Sequence, residues 1–250
     1  MSGRLLSAVN FILSLGLFLL LWQLAAAWTD SPALPFPATV LETFFLAAGT
    51  GELPYHLAVT LARTFVAFLL SMIIGASIGL VMGRSRRVDR FFDSWLILFL
   101  NIPALVVIIL CYIWFGLTEV AAVLAVSVNK IPNVAATMRE GARALERQYM
   151  DLALSYRFGA WKTLRHIILP QLSPFFAASA RSGLALVWKI VLVVELLGRS
   201  NGVGFQLHLF FQLFDVPSIL AYTIAFVAVI QMIEIFIFKP WERHANRWRS

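Results

Sequence analysis

The residues with the most chemical potential are charges set inside apolar runs: Arg63, Lys130, Arg181, Lys189, Glu195 and Glu234. In hydrocarbon each costs at least about 2.5–3.5 kcal/mol at a helix centre unless it faces protein or water. Arg63, Lys130, Arg181 and Glu234 fall near the ends of their runs, where the plain reading is a side chain snorkelling to the headgroups. Lys189 differs, because it sits well inside GLALVWKIVLVVELLG with Glu195 following it. On a helix the two stand about 9 Å apart along the axis and on separate faces, so they cannot easily neutralise each other. Each needs a partner on another helix or a watery pathway, and both alternatives stay open.

Catalytic chemistry finds little footing. His56, His166, His208 and His244 are scattered, and none stands with a second metal-type ligand at helical spacing. The single cysteine, Cys111, lies in an apolar run, which excludes an intramolecular disulfide and a cysteine-cluster metal site. No glycine-rich phosphate loop ending in Lys and Ser or Thr occurs, and HExxH and GxSxG are absent.

The stretch 151–170, DLALSYRFGAWKTLRHIILP, is too polar to cross lipid. It interleaves Tyr156, Phe158 and Trp161 with Arg157, Lys162 and Arg165, a combination suited to an apolar groove with an acidic rim. The rival reading is a helix on the membrane surface, aromatics among headgroups and basic residues on anionic lipid.

The elements that must position these residues are membrane helices. Of 250 residues, 60% are apolar and only 13% charged, well below the roughly one in four charged residues of a soluble domain. The net charge of +7 does not point to nucleic acid, because Lys and Arg cluster where apolar runs end. Six apolar stretches, about 8–28, 57–83, 94–116, 118–137, 172–198 and 218–238, predict an all-α membrane protein filling 1–250 as one domain. The first reads as a span and not as a signal peptide. Six spans put Arg4, the group Arg84, Arg86, Arg87 and Arg90, the group Arg139 to Arg165, and the tail with Lys239, Arg243, Arg247 and Arg249 on one side. Both termini are therefore expected in the cytoplasm. The segment from Asp30 to Tyr55 reads as a periplasmic connection carrying an amphipathic surface helix.

Two features concern packing. Gly75, Gly79 and Gly83 form a small-residue stripe on the second span, suited either to a dimer contact or to packing within the subunit, the latter preferred. Pro103 and Pro132 interrupt the backbone ladders of the third and fourth spans, with Asn101, Asn129 and Asn133 beside them as hydrogen-bonding partners.

With its place in the longest basic loop established, the 151–170 stretch resembles the EAA loop of ATP-binding-cassette importer permeases. Asp151 stands where that family has Glu, Leu152 and Ala153 where it has two alanines, and Ile167, Leu169 and Pro170 match the closing Ile-x-Leu-Pro. Arg157 occupies the family's glycine position, and Gly159 two residues later offers a shifted turn. LPFPATV at 34–40, GASIGLVMGRSRRVDRFFD at 75–93, IPALVVIILCYIWFGLTE at 102–119 and VWKIVLVVELLGRSNGVGF at 187–205 extend the resemblance to the nitrate, sulfonate and taurine branch.

The resemblance implies a type I importer permease fold with a cytoplasmic coupling helix in a loop at about 139–170, in the bacterial inner membrane. Its implied partners are a second permease copy, two ATPase subunits that carry ATP and Mg, a periplasmic or lipid-anchored binding protein, and membrane lipid. The chain itself would hold no cofactor and perform no catalysis. Coupling would rest on Asp151, Ala153, Tyr156, Arg157, Phe158, Gly159 and Trp161, with Pro170 stopping the helix where the fifth span begins. A pathway lined in part by the fifth span would use Lys189, Glu195, Trp188 and Asn101, and a lysine there would favour an anion. Two other classes of function remain: an ATP-independent carrier or channel, and a membrane enzyme acting on lipid, which lacks a convergent His, Asp and Ser set.

Overall fold

The computed structural model describes residues 2–240; Arg243, His244, Arg247 and Arg249 lie outside the described residues, as does the side chain of Arg4. Every regular element among them is helical. In chain order these are α1 (Ser2–Thr29), α2 (Pro37–Thr50), α3 (Glu52–Arg84), α4 (Arg86–Asn101), α5 (Ala104–Phe115) and α6 (Glu119–Arg143). They continue with α7 (Arg147–Ser155), α8 (Ala160–Thr163), α9 (Leu169–Gly198), α10 (Val203–Gln212) and α11 (Val216–Ile233). Wide π-type turns, Leu164–Ile168 and Glu234–Phe238, join α8 to α9 and extend α11. Glu52–Arg84, Glu119–Arg143 and Val216–Ile237 are each long and apolar enough to cross a membrane, and α4 with α5 makes a fourth crossing if the bent pair is one span. A multi-pass membrane chain follows, because such helices satisfy their own backbone groups in lipid.

The glycine stripe packs within the subunit. Cβ atoms at Gly75 and Gly83 would stand 2.6 Å and 2.5 Å from those of Val134 and Ala142 on α6, and one at Gly79 would strike the Ala135 carbonyl. Nothing larger than hydrogen fits there, so α3 and α6 approach backbone to backbone. Ser127 strengthens the seam by donating to the Ala67 carbonyl at 3.4 Å. Against this pair lie α9 and α11, joined by Leu172, Leu184, Trp188, Tyr222 and Phe226 in one buried core.

The third apolar stretch is not a single kinked rod. α4 and α5 meet at 94°, because proline drives its predecessor out of the helical region, and Ile102 (ψ 125°) and Pro103 (ψ 133°) are both extended. Pro132 stays inside α6. Asn101, Asn129 and Asn133 bond one turn back, to the carbonyls of Ile97 (2.7 Å), Ala125 (2.8 Å) and Asn129 (3.3 Å). Those are not the carbonyl of Val128, whose helical donor Pro132 removes.

Two further expectations change. The helix in the 30–55 connection, α2, does not lie on lipid alone, since Val40 is buried and Phe44, Ala47 and Ala48 pack against the core. After the fifth span the short loop 199–202 leads into a ten-residue helix, α10. Pro170 does not stop a helix: the chain runs helically from α8 into α9, with the Leu169 N–H reaching back to the Leu164 carbonyl across a five-residue turn. The wider turn accommodates a residue that has no N–H of its own to give.

Candidate functional site

Arg63 is the largest surprise for a snorkelling reading. Its side chain is 6% exposed, and all five N–H donors are used. Nε and Nη2 donate to the two Glu119 oxygens at 2.7 Å and 2.6 Å, Nη1 to Glu195 Oε1 at 2.7 Å and to the Asn201 carbonyl at 2.9 Å, and Nη2 also to Asn201 Oδ1. Arg199 Nη2 donates to Glu119 Oε1 at 2.5 Å. Two arginines and two glutamates from α3, α6 and the end of α9 thus sum to zero charge, which is how buried charge is tolerated.

Glu195 is fully buried at the centre of this set. Its Oε2 accepts from the Thr60 hydroxyl and the Gly204 N–H, both at 2.9 Å. Gly202, at φ +105°, has no room for a Cβ, which would fall on the Glu195 carboxylate. The glycines of SNGVG therefore serve a left-handed turn and close approach to a carboxylate. Gly202 N–H donates to His56 Nδ1 at 3.0 Å, whose Nε2 faces the Gln206 amide at 2.7 Å. Of the two partners open to Glu195, helix-to-helix pairing is observed. The carboxylate lines no open path within the protomer, and buried Trp188 packs edge-on to Phe226.

The other pathway candidates are exposed. Lys189 lies on the outward face of α9 and Asn101 at the α4 terminus. Lys130, expected to snorkel, is 2% exposed instead. Arg181 and Glu234 pair with each other at 3.0 Å, tying α9 to the extension of α11. Arg139 binds Asp93 at 2.5 Å, and Arg143 binds Asp89, fixing α4 to α6 just before the polar segment begins.

That segment folds as α7, a turn, and α8. Arg157 itself adopts the left-handed conformation (φ +53°), while Gly159 is extended at φ −64°, so the turn sits at the arginine and has not shifted to Gly159. The Phe158 N–H bonds the Ala153 carbonyl at 2.8 Å, the six-to-one closure of a Schellman cap. Ala153 itself is buried. Holding a non-glycine residue left-handed costs about 1–2 kcal/mol. Around the turn, Tyr156 is 70% exposed, Trp161 69% and Phe158 38%. Asp151 and Pro170 are also exposed. Ile167 and Ile168 are buried, and the Glu146 N–H donates to Gln171 Oε1 at 3.0 Å, so the segment is anchored at its base while its aromatics point away.

The arginine–glutamate set escaped the sequence reading because Arg63 and Glu195 are separated by 132 positions. The one local hint was the pair of glycines after Glu195, whose need for space only the fold reveals. His166 and His208 make single local contacts, to the Lys162 carbonyl at 3.2 Å and to Gln212 at 2.9 Å. Among the described residues no group of His, Cys, Asp and Glu could hold a metal ion.

Comparison with known proteins supplies the context for this geometry. Residues 71–238 match the family described as the binding-protein-dependent transport system inner membrane component. The chain is 28% identical over its whole length to a protein named putative aliphatic sulfonates transport permease SsuC of Bacillus subtilis, covering 88% of it. It is 30% identical over 74% of its length to the Escherichia coli protein of the same name, covering 71% of it. It is also 27% identical over 92% of its length to the Escherichia coli taurine transport system permease TauC, covering 85% of it. Among solved structures, a chain of the inward-facing MetNI methionine ABC transporter superposes with a TM-score of 0.69 over 80% of this chain and 99% of that one, at 16% identity. An all-helical chain with this fold and this family match is a multi-pass permease subunit, and it belongs to the family of inner membrane components of binding-protein-dependent transport systems.

Proposed function

We propose that this chain forms, as a homodimer, the membrane pathway of an ATP-driven importer for small sulfonate-type anions. The carrying observation is the segment 147–170, rigid at its base yet presenting Tyr156 and Trp161 almost bare. An aromatic knob with basic neighbours and no groove of its own fits a partner's groove. In this reading the segment is cytoplasmic, and an ATPase subunit carrying ATP and Mg receives it. Two such subunits closing on ATP pull the paired segments together and rock the bundles between inward- and outward-facing states.

Six spans with both termini cytoplasmic complete the scheme: α1, α3, the bent α4–α5 pair, α6, α9 and α11, in a bacterial inner membrane. α9, 30 residues long, spans about 45 Å despite its charges. Substrate arrives from a periplasmic or lipid-anchored binding protein and passes between two copies, with exposed Lys189 on the pathway face. The sulfonate class is supported by the names of the relatives and by that lysine. Asp151, Ala153, Arg157, Phe158 and Gly159 shape the docking element; Glu195 and Trp188 support the pathway from within the protomer.

Co-purification tests the coupling role. Wild type retains an ATPase subunit, and Phe158→Asp with Trp161→Asp loses it; retention by the double variant would refute the docking assignment. Lys189→Met impairs uptake of a sulfonate such as taurine while the complex stays assembled, and unchanged uptake removes Lys189 from the pathway.

A further inference from the structure

Most charges within the apolar helices are matched, and Lys130 is a buried exception. Glu195 is taken by Arg63, Glu234 by Arg181 and Asp93 by Arg139. Lys130 is 2% exposed on α6 and has no hydrogen bond or ion pair among the described residues. Its position is built for it. A Cβ at Gly183 of α9 would stand 2.7 Å from Lys130 Cε and 3.3 Å from Nζ, and 3.6 Å from Phe68 Cε2 of α3, so the missing side chain at Gly183 makes the passage for the lysine.

Two more unmet groups lie on the helices that flank the lysine, α3 and α9. The Thr64 and Ser179 hydroxyls are buried with no partner. Each lies one helical turn from a residue of the lysine's passage, Thr64 before Phe68 and Ser179 before Gly183. An ammonium and two hydroxyls can all donate, and polar groups left unpaired in a low-dielectric interior are costly. The carboxylates deepest in the described helices are committed to arginines. An acceptor-rich anion would meet all three groups.

We propose that Lys130 of α6, with Thr64 of α3 and Ser179 of α9, forms an internal anion site of the sulfonate class. The site rests on the anion-permease reading above but is separate from Lys189, which lies on the exposed face of α9. The ammonium supplies the counter-charge, and the hydroxyls supply hydrogen bonds to sulfonate oxygens.

The test is thermal unfolding of the full chain in lipid nanodiscs, with sodium methanesulfonate against equal sodium chloride and against neutral methanesulfonamide. Methanesulfonate raises the wild-type midpoint by about 3 °C or more near saturation, and methanesulfonamide does not. Lys130→Met abolishes the shift, Lys130→Arg keeps part of it, and Thr64→Val with Ser179→Ala, which preserves shape, roughly halves it. Absence of the shift in wild type or its persistence in Lys130→Met overturns the proposal. A shift that follows Lys130 in a protein that takes up no anion overturns the transport reading and leaves the site standing.

Discussion

The arginine–glutamate set around Glu195 and the polar segment 147–170 are both rich in charge, yet they are finished to opposite degrees. In the first, five guanidinium donors of Arg63 meet five acceptors, and Glu195 has no exposed surface. In the second, Tyr156 and Trp161 are 70% and 69% exposed. A polar region completed within the chain holds the fold, whereas an aromatic and basic region left incomplete on a firm base is shaped for another molecule. Charge alone does not separate the two; the state of its partners does.

The strongest way to break this comparison is at the completed end. Arg63→Ala leaves Glu195 buried without its counter-charge, and a loss of about 3–5 kcal/mol is expected, read as a large fall in the unfolding midpoint or in folded yield. A midpoint near wild type would show the set to be dispensable. Gly79→Ala comes next, since its methyl strikes the Ala135 carbonyl, with an expected cost of about 1–3 kcal/mol from separating α3 and α6. In the incomplete region the signs change. Arg157→Gly relieves the left-handed strain at φ +53° and should stabilise the chain by about 0.5–1 kcal/mol. Phe158→Asp with Trp161→Asp should move stability by under about 0.5 kcal/mol while abolishing ATPase retention, because exposed side chains contribute little to the fold. A large destabilisation by that pair would place the segment with the structural core and erase the contrast.

Legibility differed along the same line. The glycine stripe was readable because a small residue every fourth position lies on one helix face, and in the fold that face lies against α6. The position of the turn was not readable. Arg157 is an unfavourable left-handed residue, and Gly159 looked the better candidate until the hydrogen bond from Phe158 to Ala153 set the cap. Pro170 misled for a related reason, since proline ends an ordinary helix but a π-type turn from Leu164 to Ile168 carries the chain past it. Arg63 and Lys130 misled because distance from a span end says how far a side chain can snorkel, not whether another helix stands in the way.

What the sequence determined unaided is the class of molecule: long apolar runs with basic flanks can satisfy their backbones in lipid only as helices, and the motif order across most of the chain pointed to a permease. Local hydrogen bonding and hydropathy suffice for that, because both act over a few residues. Only the tertiary structure decided which charges are partnered. Arg63 meets Glu195 across 132 positions, and Lys130 passes α9 at Gly183 without a counter-ion. The worth of a charge inside a membrane protein depends on what other helices bring to it.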